Sequence, residues 1–150
     1  MASQNKKIIV VVGATGNQGS SVARTFLTIS TWHVRCLTRN PSSPASQALS
    51  SLGAEIVQGD LSDLSSLTRA FESANAIFAN TDFWATYLDP HAASQAAAKG
   101  KTSSENAFDL EVSHGMNIAK AAARLTTLER FVYSALGPMK KHSKGKYPHS

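Results

Sequence analysis

One run of apolar, β-branched residues that breaks into regularly spaced glycines constrains the fold of this chain more than any other feature. Residues 8–12 are all isoleucine or valine, and Gly13, Gly16 and Gly19 follow at intervals of three. A continuous apolar run predicts a buried parallel strand, and the glycines let the backbone turn sharply and approach a ligand closely. A strand, a glycine turn and a helix in this order are typical of a dinucleotide site. An ordinary glycine turn between a strand and a helix is the alternative.

In such a turn, the phosphates of a dinucleotide lie on backbone N–H groups at the start of the following helix. We therefore expect the pyrophosphate contacts to come from the segment that joins the strand to the helix. Its residues are Gly13, Ala14, Thr15, Gly16, Asn17, Gln18 and Gly19. The Thr15 hydroxyl either donates to a phosphate oxygen or caps the helix, and the sequence favours neither role.

Strands and helices alternate along most of the chain. We predict further strands at 33–39, 54–60, 76–80 and 130–134, and helices at about 45–52, 63–71 and 103–125. Between 81 and 103 the rhythm fails, with one or two helical turns at most. Strands separated by helices pair in parallel through right-handed crossovers. The prediction is therefore an α/β, Rossmann-type doubly wound parallel sheet of order 3-2-1-4-5, with the ligand at the switch between strands 1 and 4.

Helical spacing also predicts which side chains pack inward. The first helix and the turn after it offer Phe26, Leu27 and Ile29, and Asp63 is expected to cap the helix that starts there. Ser103 or Ser104 is the expected cap of the long helix. Five residues of this helix are expected to pack inward. They are Phe108, Val112, Ile118, Ala119 and Ala122.

The composition fits one globular domain. The 150 residues are 42% hydrophobic, and a chain of this length can bury one core. No apolar run approaches the ~18 residues of a membrane span, and the first predicted strand begins too early to leave room for a signal peptide. We therefore expect a cytoplasmic protein without a membrane partner.

Charge and cysteine content exclude two further classes. The formal net charge is +5, but several of the lysines lie together near the C-terminus, without the interleaved aromatic residues that stack on bases. We therefore expect no nucleic acid partner. The single cysteine, Cys36, excludes an internal disulfide. Because it lies in an apolar strand, we expect a buried hydrophobe rather than a reactive thiol.

The residue about 20 positions past the glycines indicates which dinucleotide fits. An NAD site carries Asp or Glu there, which accepts a hydrogen bond from the ribose 2′-hydroxyl. Arg39 occupies that position, and no acidic residue lies between positions 35 and 55. An Arg pairs with a 2′-phosphate through charge-assisted hydrogen bonds, which favours NADP(H); a surface cation at a strand end is the alternative. Neutral donors to the same phosphate, or turn-forming residues, are Asn40, Ser42 and Ser43.

Five segments in order resemble those of one known family. They are Gly13–Gly19, Leu37–Pro41, Gln58–Leu61, Asn80–Trp84, and His114–Ala122 with Phe131–Ser134. They correspond to the glycine turn, the ends of strands 2, 3 and 4, and the fourth helix with the fifth strand. The chain resembles the NmrA-like branch of the atypical short-chain dehydrogenases/reductases over essentially all of its length.

The resemblance implies roles for further residues. Asp60 and Leu61 match the family's adenine contacts, although Asp60 also fits a helix cap. At the predicted end of strand 4, the residues expected to line the ribose and nicotinamide channel are Thr81, Asp82 and Phe83, while Trp84 is expected to pack the cleft floor. Lys140 or Lys141 matches the family's lysine on the nicotinamide side. A loose basic tail is the alternative for both lysines.

Members of the family are usually longer, with a sixth strand and a C-terminal region that forms the substrate side of the cleft. We therefore expect residues 1–138 to form an NADP-binding Rossmann domain. Residues 139–150 are expected to be a basic C-terminal segment that begins a truncated substrate region, the rest of which is missing.

The sequence assigns no catalytic residue. The Tyr-x-x-x-Lys pair of typical short-chain enzymes is absent, because Tyr133 is followed at that spacing by Gly137. No metal is expected, since the histidines at 91, 114, 142 and 149 lack ligand spacing with a carboxylate or a cysteine.

Three functions remain open at this point. The first is an NADP(H)-dependent oxidoreductase of a small-molecule substrate, plausible in secondary metabolism. The second is an NADP(H)-sensing regulator without catalysis, which has a regulatory protein partner. The third is a truncated remnant without a substrate site.

Overall fold

A five-stranded parallel sheet forms the centre of the protein, whose computed structural model describes residues 6–147. The strands are β1 (Lys7–Val12), β2 (Trp32–Thr38), β3 (Glu55–Gln58), β4 (Ala76–Ala79) and β5 (Arg130–Tyr133). Their order is β3-β2-β1-β4-β5, and all neighbouring strands pair in parallel. The predicted order is confirmed, and the strand ends lie within two residues of the predicted ones.

Helices cover both faces of this sheet. They are α1 (Asn17–Leu27), α2 (Pro44–Ser51), α3 (Leu64–Ala70), α4 (Phe83–Tyr87), α5 (Pro90–Ala98), α6 (Ser103–Ala122) and α7 (Met139–His142). Successive side chains of a strand point to opposite faces, and β1 is buried on both. Val10 and Val12 pack with Leu67 of α3 and Ile118 of α6, while residues 9 and 11 pack on the other face with α1 and α2.

Cys36 of β2 packs with the apolar residues on the face of the sheet that α1 and α2 cover, and it is 1% exposed. Burial raises the pKa of its thiol to about 11, which suppresses the reactive thiolate form. The prediction of a buried cysteine is confirmed, and its low reactivity stays a prediction.

The segment between β4 and α6 was predicted wrongly. It contains two helices, α4 and α5, of which the sequence indicated only part of the second. Asp82 caps α4 by accepting a hydrogen bond from the Ala85 N–H, and Asp89 caps α5 by accepting from the His91 N–H. Because α4 has five residues and buries none of its side chains, it shows no periodic apolar pattern.

The start of α6 also differs from the prediction. Its N-cap is Thr102, whose hydroxyl accepts from the Glu105 N–H while the Glu105 side chain accepts from the Thr102 N–H. This reciprocal pair is a capping box, so neither Ser103 nor Ser104 is the cap. The helix ends at Ala122, three residues before the predicted position 125.

Several predicted packing residues lie at the surface. Phe108 is 61% exposed and Val112 45%, and Ala119 is exposed as well. The buried side of α6 is formed by its alanines at 107, 121 and 122 together with Ile118. Ile29 is 41% exposed because α1 has already ended at Leu27.

No helix among residues 6–147 combines the length and the apolar character required to traverse a bilayer. Asp63 caps α3 as predicted, through a hydrogen bond from the Ser65 N–H. Between β5 and residue 147 the chain forms one further helical element, the single turn α7, where the sequence predicted none.

Candidate functional site

A cleft of about 420 Å³ opens at the carboxyl edge of the sheet, where β1, β2 and β4 end. Here the chain leaves β1 toward α1 on one side of the sheet and β4 toward α6 on the other, so this is the switch point of the doubly wound topology. Ligands of such folds bind at this point. The sequence-predicted residues that line the cleft are Gly13, Thr15, Gly16, Arg39, Asn40, Ser43, Asp60, Leu61, Thr81 and Asp82.

The structure does not bring the other predicted residues to the cleft wall. These are Ala14, Asn17, Gln18, Gly19, Ser42, Phe83, Lys140 and Lys141. Ala14 and Gly19 are buried beneath the turn, whereas the side chains of Asn17 and Gln18 are exposed. Backbone groups of these turn residues remain available to a ligand.

The glycine turn is built so that its backbone, and not side chains, faces the cleft. Gly13 has a φ of +70°, and a Cβ there would collide with the Asn80 side chain. A Cβ on Gly19 would collide with the Gly13 carbonyl. Beside Gly16 the space is open, since the one atom within 4 Å of a Cβ there is the Gly13 carbonyl oxygen at 3.4 Å. The turn therefore packs tightly against Asn80 and the start of α1, and it leaves open space beside Gly16.

The helix α1 begins beside this open space. Gly16 is its N-cap and supplies no side-chain hydrogen bond, and the first turn carries no acidic residue. Thr15 therefore does not cap the helix, and the capping alternative is wrong. Free N–H groups and the positive end of the helix dipole suit a phosphate group, and the cradle fits a dinucleotide.

Arg39 stands at the rim of the cleft, just past the end of β2. It is exposed, and within residues 6–147 its guanidinium makes no ion pair or hydrogen bond. The loop beyond it is held rigidly: Asn40 Oδ1 accepts from the Ser42 N–H and hydroxyl, and Ser43 caps α2 by accepting from the Ser46 N–H. The loop thus presents a cation without an ion pair among the described residues beside the Asn40 and Ser43 side chains.

Asp60 and His114 lie together at another part of the wall. Asp60 Oδ1 accepts from the Ser62 N–H, so it does not cap α3. His114 Nε2 lies 2.9 Å from the Ser62 hydroxyl. Burial lowers the pKa of His114, Asp60 raises it and Arg39 lowers it further, with a net decrease. A neutral imidazole is favoured at this position.

Sequence reasoning missed several lining residues, which are Val12, Leu37, Thr38, Gly59, Asn80, Ala85, Thr86 and His114. Most lie at or next to the carboxyl ends of strands, so the predicted topology could have identified them as lining residues. Ala85 and Thr86 lie on α4, which the sequence did not reveal.

An aromatic group on α4 faces away from this cleft. Phe83 stacks on Tyr87 with ring centroids 5.7 Å apart, and Trp84 meets both rings edge-on. Phe83 lines a separate cavity with Phe108 and Asp109. Trp84 is 64% exposed, so it does not pack the cleft floor as expected.

Lys140 and Lys141 lie on α7, where both side chains are exposed. Because neither lysine lines the cleft, their position agrees better with a basic tail than with a lysine that contacts the nicotinamide. No cluster of three or more potential metal ligands occurs among the described residues.

Comparison with known proteins identifies the family. A sequence profile of the NmrA-like family matches residues 5–150. The chain belongs to the NmrA-like family. The NmrA-like family domain-containing oxidoreductase himF of Aspergillus japonicus is 39% identical over 132 residues, which are 88% of this chain and 34% of that protein. The corresponding oxidoreductase hkm9 of Aspergillus hancockii is 53% identical over 74 residues, which are 49% of this chain and 22% of that protein.

Solved structures of a family member match the fold as well. NmrA, a negative transcriptional regulator, in complex with NADP is 28% identical, with a TM-score of 0.67 over 94% of this chain and 36% of that one. The complex of NmrA with NAD gives a TM-score of 0.66 at 27% identity. The chain thus spans about a third or less of the length of these relatives.

Proposed function

We propose that the cleft binds NADP(H), and that this chain is the cofactor-binding part of an NADP(H)-dependent oxidoreductase of the NmrA-like type acting on a small organic substrate. One observation carries the proposal: an uncapped helix N-terminus behind the glycine turn and an unpaired arginine share one cleft. The first suits a pyrophosphate, and the second suits a 2′-phosphate.

The family relatives support this proposal at a coarser level. The curated relatives are named oxidoreductases. NmrA has been solved with NADP and also with NAD, so the choice of NADP(H) over NAD(H) depends on Arg39. A role in secondary metabolism stays a prediction.

Different lining residues would contact different parts of the cofactor. The backbone of residues 13–19 would hold the pyrophosphate, and Arg39, Asn40 and Ser43 the 2′-phosphate. The adenine would lie near Asp60 and Leu61, with the nicotinamide half beside Thr81 at the end of β4. When bound, the nicotinamide supplies or accepts the hydride, while the protein binds and orients it.

A second function, an NADP(H)-sensing regulator without turnover, is favoured by one feature of the sequence. Neither Tyr87 nor Tyr133 is followed by a lysine four positions later, so neither has the lysine partner of the usual short-chain general acid. NmrA itself is a negative transcriptional regulator. An oxidoreductase should oxidise NADPH faster with some carbonyl or imine substrate, whereas a sensor should bind NADP(H), turn over no substrate and change its affinity for a protein partner.

Titration of the purified chain with NADPH and NADH tests the binding step. We expect tighter binding of NADPH, and a loss of about 10- to 100-fold in NADPH affinity for Arg39→Ala, because a hydrogen-bonded charge contributes about 1.5–3 kcal/mol. NADH affinity should hardly change. Arg24→Ala, an exposed arginine at the end of α1, is the matched control. An unchanged NADPH/NADH preference in Arg39→Ala would contradict the NADP(H) assignment, and no binding of either nucleotide would favour a remnant.

A further inference from the structure

Three polar side chains form a chain of hydrogen bonds at the carboxyl ends of β4 and β5. Thr81 Oγ1 donates to Glu111 Oε1 over 2.6 Å, and Thr81 Oγ1 and Tyr133 Oη lie 2.8 Å apart. All three residues are half-buried. Thr81 lines the cleft, whereas Glu111 and Tyr133 do not, so the two outer groups reach the cleft through the Thr81 hydroxyl alone.

The chemistry of the three groups fixes the direction of each hydrogen bond. A carboxylate only accepts, and a threonine hydroxyl has one proton and two lone pairs. Because the Thr81 proton is directed to Glu111, the phenol of Tyr133 must be the donor in the second contact. One lone pair of Thr81 remains unused, so the hydroxyl has only an acceptor left for a ligand.

Local packing holds this arrangement in place. Glu111 and Gly115 are one helical turn apart on α6, on the same face of the helix. A Cβ at Gly115 would lie 3.2 Å from Tyr133 Oη, which is closer than ordinary contact. A glycine inside a helix costs about 1 kcal/mol relative to alanine. Space for the phenol is a physical reason for glycine at this position.

We propose that Glu111 and Tyr133 are positioning residues that make Thr81 a dedicated hydrogen-bond acceptor, which selects a ligand carrying an N–H or O–H donor. The inference rests on the proposed NADP(H) site. In a doubly wound fold the two halves of a dinucleotide lie on either side of the switch point, so Thr81 after β4 faces the half opposite Arg39. The donor is therefore a ribose hydroxyl or the carboxamide N–H₂ of the nicotinamide riboside.

Four ligands separate these sources in calorimetric titrations: NADP⁺, its 3-acetylpyridine analogue, 2′-phospho-ADP-ribose and 2′,5′-ADP. The analogue lacks the carboxamide N–H₂ but keeps the ribose. 2′-Phospho-ADP-ribose lacks the nicotinamide base and keeps the ribose hydroxyls. 2′,5′-ADP lacks the whole nicotinamide riboside, so its affinity reports on the other half of the cleft.

Thr81→Val should weaken NADP⁺ binding about 3- to 10-fold, the usual effect of one lost hydrogen bond, and leave 2′,5′-ADP unchanged. A carboxamide donor predicts that the acetylpyridine analogue is unaffected by Thr81→Val; a ribose donor predicts that the analogue and 2′-phospho-ADP-ribose are weakened like NADP⁺. Both patterns support the inference.

Glu111→Gln should give the same ligand pattern, since the amide N–H₂ can donate to Thr81 and turn its proton toward the cleft. Tyr133→Phe leaves that proton on Glu111 but no longer fixes which lone pair faces the cleft, so it should weaken the same ligands by a smaller factor. Glu129→Gln, whose carboxylate pairs with Lys7 at the other edge of the sheet, and the exposed Tyr147→Phe are matched controls. The double variant Thr81→Val/Glu111→Gln should bind NADP⁺ no more weakly than Thr81→Val alone, because Glu111 acts through Thr81.

Two results would overturn the inference while the proposed function stands. In the first, wild-type protein binds NADP⁺ and none of the three single variants weakens it. In the second, all variants weaken 2′,5′-ADP as much as NADP⁺, or the double variant is additive, which indicates a general structural role. Failure of the wild type to bind NADP⁺ at all would instead contradict the proposed function.

Discussion

At the scale of single residues, the glycines illustrate how far sequence reasoning reaches. The spacing of Gly13, Gly16 and Gly19 predicted a tight turn below a ligand, and the structure gives each glycine a separate task. Gly13 adopts a positive φ against Asn80, Gly19 lets α1 pack on the turn, and Gly16 borders open space. Asn80 was not predicted as a lining residue, because its contact with Gly13 depends on the pairing of β1 with β4, which are far apart in sequence.

Gly19→Ala tests the tight packing of the turn. Its methyl group would collide with the Gly13 carbonyl, and overpacking of this kind costs about 1–3 kcal/mol. We expect the free energy of unfolding in urea to fall by that amount. Gly137→Ala is the control, because a Cβ there makes only ordinary contact, 3.6 Å from His142. Equal stability of the two variants would show that the turn has room to relax.

At the scale of elements, strands were predicted well and helix boundaries less well. The clearest signal came from β1, a continuous apolar run that is buried on both faces, and the other strands are short runs rich in β-branched and aromatic residues between polar segments. The helix α4 leaves no such signal, since Trp84 and Tyr87 remain exposed. The pattern of α6 was misleading for Phe108 and Val112, because periodic apolar residues normally face a neighbour, and these two are exposed among the described residues.

Thr102→Ala tests the corrected start of α6. Loss of the cap should lower the free energy of unfolding by about 1 kcal/mol, as measured by urea denaturation. Ser103→Ala replaces the adjacent residue, which follows the cap, and should have little effect. A larger loss for Ser103→Ala than for Thr102→Ala would place the cap where the sequence first indicated it.

The capping box also predicts the sign of a pH effect. Hydrogen bonds from the backbone N–H and hydroxyl of Thr102 lower the pKa of Glu105 below its usual value of 4.5. The folded state thus favours the carboxylate, so its stabilising contribution is complete above pH 4.5 and is lost as the pH falls through the lowered pKa. Thr102→Ala should accordingly weaken the acid dependence of stability below pH 4.5.

At the scale of the whole molecule, the strand order followed from the alternation of strands and helices, and the cleft lies at the predicted switch point. Ten of the predicted site residues line it because parallel strands end at one edge of the sheet. Phe83 and Lys140 do not, since their positions depend on α4 and α7, two short helices that local sequence did not specify. The assignment of residues 139–150 to a separate substrate region stays a prediction.

Amide chemical shifts of the ¹⁵N-labelled chain, followed during titration with NADPH, would identify the residues that surround the bound cofactor. We expect saturable shifts concentrated at residues 13–19, 39–43, 60–61 and 80–82, which surround the cleft. Residues 100–109, beside the separate cavity, should not shift. Shifts centred on that second region, or no saturable shifts at any NADPH concentration, would contradict the claim that this cleft holds the cofactor.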